Sequence, residues 1–259
     1  MQNVVSYEKN NGVAIIQYDN PPLNILTIEN LEIVNETIKQ AELDNEVNVI
    51  ILTMKRQGKV FCAGMHLDEM LASKDTANGI KGYCDHSKEI FSTLQRIVKP
   101  VIYVYDGVVM GGGFEWSLFA DFRFCSDDTT VKLPELSIGI LPGGGGTQML
   151  PRLIGHSRAK EIILALKTLN AEKLKELNLV SESYPSDNLM ESAVKFAERM
   201  AALSPDALKF AKLAINNEQN RPISECLDIE TQYFIENFAT PNASEGITAF
   251  RQHRNPIYK

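Results

Sequence analysis

The chain of 259 residues is long enough for one large domain or a core plus a smaller appendage, and its 44% hydrophobic and 23% charged composition is that of an ordered globular protein. Twenty-six basic against 33 acidic side chains leave a net charge of −7, which argues against non-specific binding to nucleic acid or to anionic membrane surfaces. Apolar runs such as Val49–Met54 are far too short to span a bilayer, and the opening MQNVVSYEKNN has neither the basic nor the apolar region of a secretory signal, so a cytoplasmic location is expected.

In chain order, Val4–Lys9 and Val13–Tyr18 flank Asn-Asn-Gly and read as a β-hairpin. Asp19-Asn-Pro-Pro breaks it. Thr27 then suits a helix N-cap, with Leu31, Val34, Ile38 and Ala41 recurring at a helical period. Val47–Met54 is a β-rich apolar run, expected as a strand buried on both faces. A loop over Arg56–Gly64 leads into a helical stretch, and Ile80–Val98 carries another helical period. Pro100–Tyr105 reads as the next buried strand, ended by Asp106-Gly107. Helix-compatible sequence covers Gly112–Ala120, before a short strand around Phe122–Cys125.

Beyond Pro151 the chain reads as mostly helical. Ser186–Leu203 is amphipathic, with Leu189, Met190, Val194, Ala197 and Met200 on one face. Ser204-Pro205 opens a further helix, and two more fit Ser224–Asn237 and Ser244–Gln252. The pattern predicts an α/β core over residues 1–200 and a helical module over 201–259, with no Pro/Ser-rich linker and a soft boundary between them.

Four cysteines (Cys62, Cys84, Cys125, Cys226) lie far apart without a C-x-x-C pair and are expected as reduced, mostly buried thiols. The histidines at 66, 86, 156 and 253 are equally scattered. Cys84-Asp-His86 is the only local cluster, and it lacks zinc-site spacing, so no metal is expected.

Two glycine clusters stand out, Gly111–Gly113 and Gly143–Gly146. Neither is followed by the Lys-Ser or Lys-Thr of a P-loop, neither has dinucleotide-fingerprint spacing, and no G-x-S-x-G elbow occurs. Their neighbours carry the chemistry. Glu115 lies one turn inside a glycine-opened helix, beside Phe114, Trp116, Leu118 and Phe119, which imply apolar surroundings. Glu135 follows Pro134 on a loop before the second cluster. Free N–H groups at a helix start suit an oxyanion, and two nearby carboxyls can divide acid and base duties. A third loop, Phe61–Leu67, could aim another N–H inward or be an ordinary strand-to-helix turn.

The segments FCAGMHLDEM, GGGFEWSLFADFRF and LPELSIGILPGGGGTQMLPRLIG resemble, in order and separation, three signatures of the crotonase superfamily, and PPLNILT and EGITAFRQHRNPIY are similar to its terminal motifs. The resemblance covers essentially the whole chain. It implies repeated ββα units forming a superhelical core, a helical C-terminal trimerisation module, and an acyl-coenzyme A thioester whose enolate is held by two backbone N–H groups. By motif match those donors are Met65 and Gly112. The resemblance makes Glu115 the residue that holds and activates water, and Glu135 the acid that protonates the α-carbon.

Substrate or coenzyme A contacts are expected at Leu23, Asn24, Ala63, Gly64, His66, Leu67, Asp68, Gly111, Trp116 and Phe250, while Lys55, Arg56 and Lys59 either meet the nucleotide phosphates or belong to a solvated loop. Coenzyme A arrives as part of the substrate, and no separate cofactor is implied. Apolar residues on the last helices, together with the resemblance, imply a homotrimer or a hexamer, with Phe250 and Tyr258 reaching a neighbour's ligand site. Met65-His66 stands where Ala-Asp is common, Trp116 is bulky, Asp106 replaces a frequent Asn, and Lys132-Leu133 departs from the usual residues before Pro-Glu. These departures bear on the substrate more than on the reaction class.

Two retained carboxylates favour an enoyl-CoA hydratase of fatty acid metabolism, adding water to a trans-2-enoyl thioester. An isomerase or a specialised hydratase of another pathway is the alternative, and a non-catalytic binding relative is the third.

Overall fold

The structure, a computed structural model, describes residues 4–217 and 221–259. Met1–Asn3, which belong to the N-terminal stretch read for a secretory signal, lie outside the described residues. Strands β1 (Val5–Asn10) and β2 (Val13–Tyr18) form the expected antiparallel hairpin. Its turn residues Asn11 and Gly12 both have positive φ, 49° and 78°, which matches the twist of a tight hairpin. Helix α1 (Ile28–Leu43) begins where Thr27 Oγ1 accepts the Asn30 N–H, and its buried side chains include the four expected from periodicity.

Strand β3 (Val49–Met54) is buried at all six positions. After it the chain makes a short strand β4 (Val60–Cys62), a one-and-a-half-turn helix α2 (Leu67–Ala72) and the long helix α3 (Gly79–Arg96). The pattern repeats with β5 (Val101–Tyr105), β6 (Val108–Met110) and α4 (Gly112–Ser117), then again with β7 (Phe122–Ser126) and β8 (Thr130–Lys132). Each repeat sends its first strand to a large sheet and its second to a small one. Helices α5 (Gly146–Ile154) and α6 (His156–Leu164), strand β9 (Leu169–Asn170), helix α7 (Ala171–Glu176) and strand β10 (Glu182–Tyr184) complete the core. The large sheet has the order β1-β2-β3-β5-β7-β10 and the small one β4-β6-β8-β9. This is the α/β architecture of repeated ββα units that the motifs implied.

Three sequence expectations need correcting. The small sheet was not foreseen: Val60–Cys62 lies inside the stretch read as a loop, and strands of three residues are too short to show alternation. The region after Pro151 is mostly helical, as expected, but the short strands β9 and β10 within it, which extend both sheets, were not foreseen. Helix α4 stops at Ser117 rather than Ala120, where the buried Arg123 guanidinium draws off the carbonyls of Ser117 and Ala120.

Helix α8 (Ser186–Ala201) packs on the large sheet through Leu189, Ala193, Ala197 and Ala201, with Met190, Val194 and Met200 half-buried beside them. Helices α9 (Pro205–Asn216), α10 (Ile223–Phe238) and α11 (Pro241–Arg251) follow. Helix α11 starts earlier than expected because Thr240 caps it and Pro241 takes its first turn. An ion pair between the buried Lys212 and the half-buried Asp121 ties this tail to the core: Lys212 Nζ donates to Asp121 Oδ2 at 2.7 Å and to the Lys99 carbonyl at 2.9 Å. Among the described residues no helix is long and apolar enough to cross a membrane.

Candidate active site

Strands β4, β6 and β8 are parallel neighbours, so their C-terminal ends emerge side by side, about 5 Å apart per strand. The first end leads to Ala63–Met65, the second to Gly111–Gly112 and the third to Glu135. Residues distant in sequence thereby meet at one edge of the small sheet.

Gly111 has φ 49° and ψ −125°, and a Cβ there would sit 2.6 Å from Glu135 Oε1. Glycine is therefore needed for both backbone and space. Glu115, one turn into α4, is only 3% exposed. Its Oε1 accepts the N–H groups of Gly144 at 2.9 Å and Gly146 at 2.8 Å. A Cβ at Gly144 would lie 3.0 Å from Glu115 Oε2, and one at Gly146 would lie 3.0 Å from Oε1, so the second glycine cluster wraps the carboxylate with bare backbone. Burial pushes the Glu115 pKa up to about 7; the charge of Glu135 adds to this, while the two glycine N–H groups pull the other way.

Glu135 opens a short 3-10 turn, Glu135–Ile138, and is buried with its Oε2 unpartnered among the described residues. Burial raises its pKa as well. Across the cavity, Gly64 has φ 96°, and a Cβ there would lie 3.7 Å from the Gly112 nitrogen; one at Gly112 would lie 3.7 Å from the Met65 nitrogen. The two amides thus converge, and among the described residues neither N–H has a protein acceptor. Such a pair can donate two hydrogen bonds to an oxyanion.

These groups line a cavity of about 870 Å³. Ala63, Gly64, Met65, His66, Leu67, Asp68, Gly111, Gly112, Glu115 and Glu135 all reach it, as the sequence led one to expect. His66 also caps α2, its Nδ1 accepting the Glu69 N–H at 3.2 Å. The sequence reading missed the far wall, formed by Tyr83, Cys84, Ser87 and Phe91 on α3 and by Ile138, Ile140 and Leu141. Its signal was present: residues 80, 83, 84, 87 and 91 share one helical face, which periodicity alone assigns to the core.

Four expected contacts lie outside the cavity lining. Trp116 is fully buried behind it, its ring stacked on Phe91 at 5.6 Å. Leu23 is partly exposed, and its carbonyl accepts the Ala63 N–H, which pins the two loops together. Phe250 is 82% exposed on α11. Asn24 is fully buried: its Nδ2 donates to the carbonyls of Lys55 and Phe61, and its Oδ1 accepts the Asn20 N–H. It holds the loops rather than a ligand. Asn24→Ala is expected to lower stability by about 2–3 kcal/mol, the cost of orphaning buried polar groups. A urea midpoint unchanged from wild type, with only KM altered, would reverse that assignment.

The basic side chains near the second loop are largely committed. Arg56 pairs with Asp106 at 2.8 Å and Asp128 at 2.7 Å, and Lys55 with Asp19 at 3.0 Å; Lys59 is exposed. The thiols divide evenly: Cys62 and Cys125 are buried, Cys84 is exposed on the cavity wall and Cys226 is half-buried. His86 pairs with Glu32 at 2.7 Å, so the Cys84–His86 cluster faces a carboxylate on α1.

Comparison with known proteins agrees with this geometry. A family model described as "Enoyl-CoA hydratase/isomerase" matches residues 8–259. A 2,3-dehydroadipyl-CoA hydratase of Escherichia coli is 35% identical over 229 residues, covering 88% of this chain and 87% of that protein. A short-chain-enoyl-CoA hydratase of Clostridium acetobutylicum is 33% identical, covering 97% of this chain and 96% of that one. The crystal structure of an enoyl-CoA hydratase from Bacillus anthracis superposes with a TM-score of 0.91 at 32% identity, over 99% of both chains. With relatives above 30% identity along nearly its whole length and a family match running to its last residue, the chain belongs to the enoyl-CoA hydratase/isomerase family, within the crotonase superfamily that its glycine-flanked motifs resembled.

Proposed function

We propose that the protein is an enoyl-CoA hydratase. The observation that carries this reading is the pairing of two carboxyls of raised pKa, Glu115 and Glu135, in one cavity with two N–H groups that have no acceptor among the described residues. Hydrating a conjugated thioester needs a base for water, a proton donor for the α-carbon and a sink for enolate charge. Glu115 takes a proton from water as the hydroxyl bonds to the β-carbon. The π electrons shift to the thioester oxygen, held by the amides of Met65 and Gly112. Glu135 then protonates the α-carbon, giving a 3-hydroxyacyl thioester. The proton held by Glu115 returns to Glu135, so one water is consumed and both carboxyls are restored. These steps use no cofactor beyond the coenzyme A carried by the substrate. An isomerase needs only one proton-shuttling carboxyl, so the second carboxyl favours hydration. Loss of the conjugated-thioester absorbance on adding crotonyl-CoA tests the reading; if no enoyl thioester of any length reacts, it fails.

The same reading places the enzyme in the cytoplasm, treats residues 201–259 as an assembly module joined to the 1–200 core, and makes it a homotrimer or a dimer of trimers. Support comes from α10 and α11, where Ile223, Leu227, Phe234, Phe238 and Phe250 are exposed large apolar side chains. A patch of that kind normally marks an interface, and closed symmetry is the usual arrangement. Phe250 would then reach a neighbouring subunit's coenzyme A. Sedimentation equilibrium is expected to give a trimer or hexamer of the 28.9 kDa chain; a single species at the chain mass would reject the assembly.

A further inference from the structure

We propose, resting on the hydratase reading, that this active site selects uncharged medium-chain enoyl groups over both short-chain and ω-carboxylated ones. The wall along α3 serves as a ruler. Phe91 marks the reacting end, because a Cβ on Gly144, whose N–H holds Glu115, would lie 2.6 Å from its ring. From there the same face of α3 lines the cavity out to Ile80, a path of about 16 Å at 1.5 Å per residue. Crotonyl would leave most of that length empty, octenoyl would reach past its middle, and decenoyl would cover most of it.

The chemistry of the wall says which part of the thioester runs there. Ile80, Ile138, Ile140 and Leu141 offer no hydrogen bond to a nucleotide or a pantetheine amide. The Ser87 hydroxyl is spent on the Tyr83 carbonyl at 2.6 Å. The wall therefore fits the acyl tail. Among the described lining residues Lys74 is the only Lys or Arg, and it stands exposed at the outer end, where a pair with a carboxylate is screened by water and adds little. A terminal carboxylate part-way along the channel would meet no cation; the Tyr83 hydroxyl could donate it one neutral hydrogen bond, which does not offset the cost of desolvating a charge. The site thus differs in preference from a relative named for 2,3-dehydroadipyl-CoA.

The test is a series of trans-2-enoyl thioesters from crotonyl to decenoyl, with 2,3-dehydroadipyl-CoA compared against hexenoyl-CoA of equal chain length. Each buried methylene is worth up to about fourfold, so kcat/KM is expected to rise at least about tenfold from crotonyl to octenoyl. The dicarboxylyl substrate is expected at least about tenfold below hexenoyl. Ile80→Asp places its new charge in the first turn of α3, where it suits the helix, and should shrink the decenoyl-to-crotonyl ratio at least about fivefold. Leu71→Ser, on the exposed rim of the same cavity, should shrink it as well.

A preference for crotonyl or parity of the dicarboxylyl substrate with hexenoyl would overturn the proposal, as would a preference for an ω-hydroxyhexenoyl thioester added to the series, which would point to the Tyr83 hydroxyl, unpartnered among the described residues. Calorimetric titration with the unreactive butyryl-CoA and decanoyl-CoA separates the two claims. Tighter decanoyl binding without any hydration would sink the hydratase reading and leave the tail preference standing. Equal affinities alongside normal turnover would sink the tail preference alone.

Discussion

Glu115→Gln is expected to lower kcat by about 10²–10⁴-fold while making the folded protein more stable above neutral pH. Loss of activity follows from removing the base: a glutamine can still accept the Gly144 and Gly146 N–H groups through its carbonyl, but it cannot take a proton from water. The gain in stability follows from the same burial that tunes the base. In the unfolded chain this carboxyl has an ordinary pKa near 4.5, and in the fold it is pushed up to about 7. A folded pKa above the unfolded one means the native state favours the protonated form. Below about pH 4.5 the wild type bears no cost; between about 4.5 and 7 the cost grows, and above 7 it is constant. The shift corresponds to about 3 kcal/mol at most. Melting temperatures of wild type and variant should therefore coincide near pH 4.5 and diverge toward pH 8, with the variant higher. Retained turnover would remove Glu115 from the mechanism, and a variant less stable at pH 8 would show that its carboxylate is favourably solvated in place. Glu135→Gln should also cost about 10²–10⁴ in kcat, through loss of the α-carbon proton.

The second large effect is expected far from the chemistry. Lys212→Met should destabilise the protein by about 3–5 kcal/mol, because it leaves the largely buried Asp121 carboxylate without the cation that hydrogen-bonds it, with only the unpaired charge of Arg123 nearby. Burial raises the Asp121 pKa and lowers that of Lys212, each against the pull of its partner, so desolvation outweighs the attraction between them. Replacing both members should then recover much of the loss. Asp121→Asn together with Lys212→Met keeps an acceptor for the Val101 N–H, which Asp121 Oδ2 binds at 2.7 Å. Urea midpoints of the two single variants and the double variant measure the coupling. A double variant no better than Lys212→Met would show that the lysine acts through its contacts to the Leu94 and Lys99 carbonyls instead.

Much of the fold was legible because its long elements carry a strong period. Val49–Met54 and Val101–Tyr105 are continuous apolar runs, and both proved to be central strands buried at every position. Thr27 and Ser204 announced their helices through side chains that do cap them. The small sheet was illegible for the opposite reason. Its strands are two or three residues long, and what defines them is pairing with partners some twenty to fifty residues away. Within the site, Glu115 could be singled out by the contrast of one carboxylate among aromatics. Trp116 shared that signal and was misplaced, because adjacent helical residues point in different directions: one faces the cavity, the other stacks behind Phe91. Asn24 was misplaced because a buried asparagine and a ligand-binding one look alike until its hydrogen-bond partners are known.

The small sheet divides labour between frame and chemistry. Its rungs are backbone hydrogen bonds between β4, β6 and β8, whereas the groups that act on a substrate begin just beyond the last rung of each strand. A substitution at Met65 or Glu135 therefore leaves the ladder that positions its neighbours untouched. One such position can drift during evolution while the other two stay in register, so a lineage built on this frame can change its reaction one loop end at a time without passing through an unfolded ancestor.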